Sequence, residues 1–178
     1  MIENFDFKLN STPKEKKSRE ESLALFNKNG FPNKRLEDWK FTDLNKIISE
    51  NFSELKPYCL VEKPKNIETI KDFDHNYIVL INGVMSVSDF RHEDNKKIKI
   101  IKFKRDLVKK KITKNPLINL NDALFEGGYF LEVSSNYKFK KPLIVYNYFL
   151  ENLKNKIINT KNLITIKDNS DLDLIEYN

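Results

Sequence analysis

The sequence predicts an α+β chain, with helices in front and strands behind. Three observations carry this. Between Tyr129 and Tyr177 lie four short apolar runs, Tyr129–Val133, Leu143–Phe149, Leu163–Ile166 and Leu172–Tyr177, rich in residues that suit a pleated surface. Ahead of them, Tyr77–Ile81 and Val84–Ser88 flank Asn82-Gly83, the pair favoured by a two-residue type I′ hairpin turn. Ahead of that, between Ser18 and Glu50, apolar residues recur at helical spacing beside capping residues. The polar turns Ser134–Lys141 and Lys167–Asp171 contain no glycine, which disfavours a meander of tight hairpins. Short strands joined in this way fit either the coils of a solenoid or a sandwich, and periodicity does not choose between them.

Within the strands the alternation is partial. Leu131 and Val133 point one way, Phe130 and Glu132 the other; Leu172 and Leu174 oppose Asp171 and Asp173.

Composition narrows the function classes. A chain of 178 residues, 39% hydrophobic, suffices for one domain or one and a half. No apolar run approaches the ~20 residues that cross a bilayer. Met1–Ser11 carries Asn and acidic residues among isolated aromatics, unlike a signal peptide, so a soluble cytoplasmic protein is expected. Cys59 is the sole cysteine and has no partner for an internal disulfide; His75 and His92 lack ligand-like spacing, so no metal site is expected. The net charge of +6 suits an anionic partner, which makes a basic nucleic-acid-binding module the alternative function. Against it, lysine is spread along the whole chain, arginine occurs only at positions 19, 35, 91 and 105, and Lys109-Lys110-Lys111 contains no stacking aromatic.

In chain order, residues 1–17 read as a flexible arm, with Pro13 in a Lys/Glu mixture. Ser18 and Glu21 form a capping box that starts a helix, with Leu23 and Phe26 on one face. Gly30 ends it, pairing Phe26 with Phe31 in a Schellman stop, and Pro32 blocks a restart. Thr42 caps a second helix, Asp43–Glu50, whose Leu44, Ile47 and Ile48 face inward; Trp39 anchors the crossing of the two helices. Residues 56–76 are irregular. Ile98–Phe103 reads as a strand and Leu107–Thr113 as a weak basic helix that Asn115-Pro116 breaks. Pro116–Phe125 is a short helix capped by Gly127-Gly128, which match no phosphate-binding loop. Glu37, Asp38 and Glu126 are the carboxylates available to an acid–base enzyme. No nucleophile or base accompanies Glu37 and Asp38, and a structural role is preferred.

The motifs, taken in order, resemble the SufB/SufD family, SufD more closely, which are scaffold subunits of the Suf iron–sulfur cluster assembly system. Gly30-Phe-Pro-Asn-Lys-Arg-Leu-Glu-Asp-Trp-Lys-Phe-Thr-Asp-Leu44 is similar to that family's Gly-x-Pro…Glu-x-Trp-Lys-Tyr-Thr signature. Val79–Gly83, Asn119–Phe125 with Gly128, Lys141–Val145, Asn162–Ile166 and Leu174–Tyr177 follow in the family's order. The matched motif residues are Gly30, Pro32, Glu37, Trp39, Thr42, Asn82, Gly83, Asn121, Gly128, Pro142 and Glu176, all structural; no catalytic, cofactor or metal residue is carried over.

The resemblance implies an N-terminal helical cap with a β-hairpin over 18–125, then the first coils of a right-handed parallel β-helix from 126 to 178. It implies a non-catalytic scaffold, a SufB-like partner and a SufC-like ATPase, with an iron–sulfur cluster as the product of the parent complex. Family members are longer, so a truncated chain without the SufC contact region is expected. Its last strand should expose backbone groups and the side chains of Leu172, Leu174 and Ile175, leaving a chain that is marginal alone or completed by another.

Overall fold

Thr12 starts the first helix, α1 (Pro13–Asn29), in a computed structural model that describes residues 12–35, 37–52, 56–57, 67–107, 113–150 and 153–178. The Glu15 N–H donates to Thr12 Oγ1 at 3.3 Å, and the Thr12 N–H donates to Glu15 Oε2 at 2.7 Å. The capping box therefore sits ahead of Ser18, the expected start, and residues 13–17 of the expected arm are helical. Pro13 falls in the first turn, where its missing N–H costs nothing. At the other end Gly30 turns the chain out with φ +67° and ψ −169°, an extended ψ instead of the left-handed helical value of a Schellman glycine. The expected apolar pair is present: the Phe26 and Phe31 rings meet edge-on at 5.0 Å.

A 3-10 turn at Glu37–Trp39 leads to α2 (Leu44–Asn51). Its cap is Asp43, whose Oδ1 accepts the Lys46 N–H at 3.0 Å; Thr42 stands one residue outside, exposed. Aspartate is the stronger cap of the two. The inward face expected for α2 is not formed: Leu44 and Ile48 are half-buried, Ile47 is exposed, and no residue of the helix is fully buried.

β1 (Lys56–Pro57), β2 (Asn76–Ile81), β3 (Val84–Asp89) and β4 (Ile98–Lys102) follow, and then a 3-10 turn at Arg105–Leu107. Of the basic helix expected over Leu107–Thr113, residues 108–112 lie outside the described residues. Leu107 belongs to the 3-10 turn, and Thr113 is not helical. α3 (Pro116–Leu124) starts on Asn115, whose Oδ1 accepts from the Leu117 and Ile118 N–H groups. It ends with Phe125 as cap, so Gly127-Gly128 is not its stop. The remaining elements are strands: β5 (Tyr129–Val133), β6 (Leu143–Tyr148), β7 (Lys156–Ile157), β8 (Leu163–Ile166) and β9 (Leu174–Tyr177).

The chain divides into two compact units, each assembled from three separated segments. The first takes 1–58, 105–125 and 154–159. Its core is small: Phe26, Leu120, Ala123 and Leu124, with Leu23, Phe31 and Ile157 against them, where α1 meets α3. β1 and β7 pair in parallel beside it.

The second unit takes 59–104, 126–153 and 160–178 and holds two sheets, ordered β3-β2-β6-β9 and β4-β5-β8. β2 and β3 form the expected hairpin; Asn82 and Gly83 both have positive φ, +47° and +80°, as a type I′ turn requires. β4 runs antiparallel to β5, while β6 is parallel to β2, β8 to β5 and β9 to β6. Neither sheet closes on itself.

The β5–β8 pair and the turn after it share one register, while β6 and β9 pair with Leu143 opposite Leu174. Phe130 lies opposite Leu163 and Leu131 opposite Ile164, and bridges join Gly127 to Thr160 and Lys138 to Asp171. In the turn, Tyr137 donates to Ser170, also 33 residues on. Asn136 and Asn169 occupy the same turn position with φ +57° and +55°, and the Asn169 amide donates to Asn136 Oδ1 at 3.1 Å. Asparagine tolerates the left-handed conformation, which explains turns made without glycine.

One face of each sheet turns toward a shared core. Ile78, Leu80, Leu143 and Val145 come from one sheet, Tyr129, Leu131 and Val133 from the other, all 1% exposed or less. Such full burial is the largest stabilising term of this unit. Behind the first sheet a second layer forms: Ile67 and Ile70 pack on Val79, Ile81, Ile144 and Tyr146.

Candidate functional site

The motif residues of the second unit converge on two polar junctions. At the first, the hairpin turn meets the start of the coils. Asn82 is 2% exposed; its Oδ1 accepts the Leu150 N–H at 2.9 Å and its own N–H donates to the Tyr148 carbonyl. The Gly83 carbonyl accepts from Thr160 Oγ1 at 2.9 Å. A Cβ on Gly127 would lie 2.5 Å from the Gly83 carbonyl oxygen. One on Gly128 would sit inside the Lys161 carbonyl, and Gly128 also holds φ +120°. These glycines are therefore points of close backbone approach. The helix-cap reading fails because α3 has already ended when the chain reaches them.

The second junction is one the sequence reading missed. Glu93 is 8% exposed and carries a full set of donors. Its carboxylate accepts from Asn76 Nδ2 at 2.8 Å, from the Tyr137 hydroxyl at 2.7 Å, and from the N–H groups of Lys140 and Lys141 at 3.0 and 3.1 Å. Pro142, a motif residue, joins it through its carbonyl, which accepts the Asn76 N–H at 2.9 Å. Burial alone pushes the Glu93 carboxyl up. The bonds from Tyr137, Asn76 and the two backbone amides outweigh it and hold the group below the ordinary glutamate value. Burial, and then bonding to this carboxylate, raise the Tyr137 phenol. The arrangement ties a coil turn to the strand that precedes it. A Glu followed by Asp in a polar loop gives no sequence signal of such a role.

A third polar set lies behind the first sheet. Tyr146 Oη sits 2.9 Å from His75 Nε2 and accepts the Ile70 N–H at 3.0 Å. His75 Nδ1 is 2.9 Å from the Phe73 carbonyl, so that nitrogen carries the proton and Tyr146 donates to Nε2. The Tyr148 hydroxyl donates to the Glu68 carbonyl. Two tyrosines on one face of β6 thus hold the backbone of segment 67–74. Tyr129, inside the core, has its phenol pushed up to about 12, by burial first and then by the charge of Glu176.

In the first unit, two arginines serve the C-terminal end of α3. Arg19 donates to the Ala123 carbonyl at 3.3 Å. Arg105 donates to the Asp122 and Phe125 carbonyls at 2.6 and 2.8 Å, with its guanidinium 3.8 Å from the Phe125 ring centroid. Cations there complement the helix dipole. Other motif residues stand apart. The Pro32 carbonyl accepts the Leu44 N–H, the Trp39 carbonyl accepts the Thr42 N–H, and the Asn121 carbonyl accepts the Phe125 N–H. Trp39 is half-buried and Glu176 exposed.

No acid–base site is assembled from the candidate carboxylates. Glu37 is 86% exposed and pairs with Lys40 at 3.1 Å; Asp38 and Glu126 are exposed as well. A catalytic pair needs the burial or close charge that shifts a pKa. Among the described residues no three His, Cys, Asp or Glu side chains gather as a metal site, and no helix is long and apolar enough to cross a membrane. Cys59 lies outside the described residues.

What these junctions define is a structural class: an α+β chain whose polar groups, at these places, fasten strands and turns to one another. Residues 5–83 match the family described as the SufBD protein N-terminal region, and to that extent the chain is similar to it. The match stands for SufB and SufD alike. No curated protein matches the chain.

Proposed function

We propose that the protein is a non-catalytic scaffold subunit of Suf iron–sulfur cluster assembly, of the SufD type, acting in the cytoplasm beside a SufB-like subunit and a SufC-like ATPase. The match of residues 5–83 to the SufBD N-terminal region carries this reading. It is supported by the parallel pairing of the strands that follow, β5 with β8 and β6 with β9, and by the asparagine pair in the turn between them. In this reading they are the opening coils of a right-handed parallel β-helix, and each repeat rests on its neighbour. Gly83, Gly128, Asn82 and Pro142 set the geometry of the hairpin and first coil, and the iron–sulfur cluster is cargo of the assembled complex.

The test is co-expression of the tagged chain with the SufB-like and SufC-like proteins of the same genome. Copurification of the SufB-like protein, retained through gel filtration, is the expected outcome. Neither protein co-eluting with a folded, tagged chain would remove the proposal.

A further inference from the structure

Residues 67–75 run behind the first sheet with neither helix nor strand of their own. Ile67 and Ile70 lie against Val79, Ile81, Ile144 and Tyr146, all 1% exposed or less. Side chains hold the backbone of this segment. The Glu68 carbonyl accepts from the Tyr148 hydroxyl, and the Ile70 N–H donates to Tyr146 Oη at 3.0 Å. Tyr146 in turn donates to His75 Nε2 at 2.9 Å, and His75 Nδ1 donates to the Phe73 carbonyl at 2.9 Å. The bonds run in one direction, Ile70 to Tyr146 to His75 to Phe73, so the state of the imidazole sets the role of the hydroxyl.

That order requires a neutral ring. On a protonated imidazole both nitrogens donate. Tyr146 Oη then has to accept from Nε2 as well as from Ile70, and its own proton is left without an acceptor among the described residues. The charge would also be buried, His75 being 9% exposed, with no carboxylate among the described residues bonded to either ring nitrogen. The charged groups around it are engaged or in solvent: Asp74 pairs with Lys141 at 3.5 Å, Asp89 on β3 with Arg91, and Glu68, Lys71 and Asp72 are exposed. The other titratable neighbours of the His75–Tyr146 pair are Tyr77 on β2, Tyr148 on β6 and Tyr177 on β9. Phenols do not titrate between about pH 5 and 8, whereas histidine is the side chain whose charge changes there. We propose that residues 67–75 form a pH-operated strap: uptake of one proton by His75 breaks the Ile70–Tyr146–His75 bond order, loosens the segment and uncovers Val79, Ile81 and Ile144. A segment without ladder bonds of its own is the part of a fold that opens most readily. Nothing in this device depends on the Suf reading.

The experiment is amide hydrogen exchange, followed by NMR on the isotope-labelled full chain from about pH 8 to about pH 4.5, with the ring nitrogens of His75 recorded in the same samples. Rates are corrected for the intrinsic exchange at each pH. Protection of the Ile70 amide is expected to fall by about tenfold as pH drops, because the opened segment takes up a proton that the closed one resists. The fall should stop once the His75 ring carries its proton. At every pH the Ile70 amide should be less protected than that of Leu80, on the interior strand β2, which shows that the segment opens by itself. In His75→Gln, which has no titrating ring, Ile70 protection is expected to be level across the range. Should that variant not fold, the match between the Ile70 curve and the His75 ring signals in the unaltered chain decides. Four results would each overturn the inference: Ile70 protection that does not change with pH, protection equal to that of Leu80, a fall that continues unabated after His75 is charged, or a folded His75→Gln chain that keeps the pH dependence.

Discussion

The two units of this chain solve the problem of stability differently. In the second unit apolar side chains are buried on both sides of the first sheet, and buried polar groups bond to strands and turns: Glu93 to four donors, Asn82 to two backbone groups, Tyr146 to His75 and Ile70. Among the described residues of the first, the core is the small cluster where α1 meets α3, with Phe31 and Ile157 against it, and α2 buries nothing completely while Phe41 and Ile47 are exposed. The lesson is that hydrophobic content alone does not make a helix packed. α2 is amphipathic on paper, whereas the strands of the second unit succeed because parallel pairing places apolar rows above one another, Leu131 beside Ile164 and Leu143 beside Leu174.

Four substitutions break or sharpen that contrast, and chemical denaturation measures each. Gly128→Ala is expected to be the most damaging, on the order of 3–5 kcal/mol, because it adds a Cβ against the Lys161 carbonyl at a φ of +120°. A loss under about 1 kcal/mol would mean that the coil relaxes around it. Glu93→Gln is next, at about 2–3 kcal/mol, since the amide cannot accept all the donors that converge there.

The same residue sets a pH dependence. Its folded pKa is lowered, so the stability it adds is fully present above the unfolded glutamate value of about 4.3 and is lost as pH falls through the folded value. Glu93→Gln should flatten the acid limb of a stability–pH curve, and an unchanged limb would assign it to other carboxylates. In the first unit, Arg105→Met removes two charge-assisted bonds to the end of α3 and is expected to lower stability by about 1–2 kcal/mol. Ile47→Lys should change it by no more than about 0.5 kcal/mol, the range of surface substitutions. A large loss there would show that α2 is covered, and the contrast between the units would disappear.

Legibility followed locality. The hairpin was readable because Asn82-Gly83 specifies its turn with no help from afar, and β5 and β8 fall on the runs Tyr129–Val133 and Leu163–Ile166. Helix starts were less readable: Ser18-Glu21 and Thr12-Glu15 are competing boxes, and Pro13 selects the second. Thr42 and Asp43 compete in the same way. Gly127-Gly128 looked like a helix stop because the backbone that crowds it, at Gly83 and Lys161, is remote in sequence.

The sequence by itself determined the local pieces: an α+β order of elements, the type I′ turn, the apolar runs and the absence of glycine between them. These depend on side chains and dihedral preferences within a few residues. Only the tertiary structure decided that the late strands run parallel, that asparagines at 136 and 169 stack, and that Glu93 fastens the turn at Tyr137–Lys141. Those are pairings between residues far apart in the chain, and period-two alternation reads the same in a parallel sheet as in an antiparallel one.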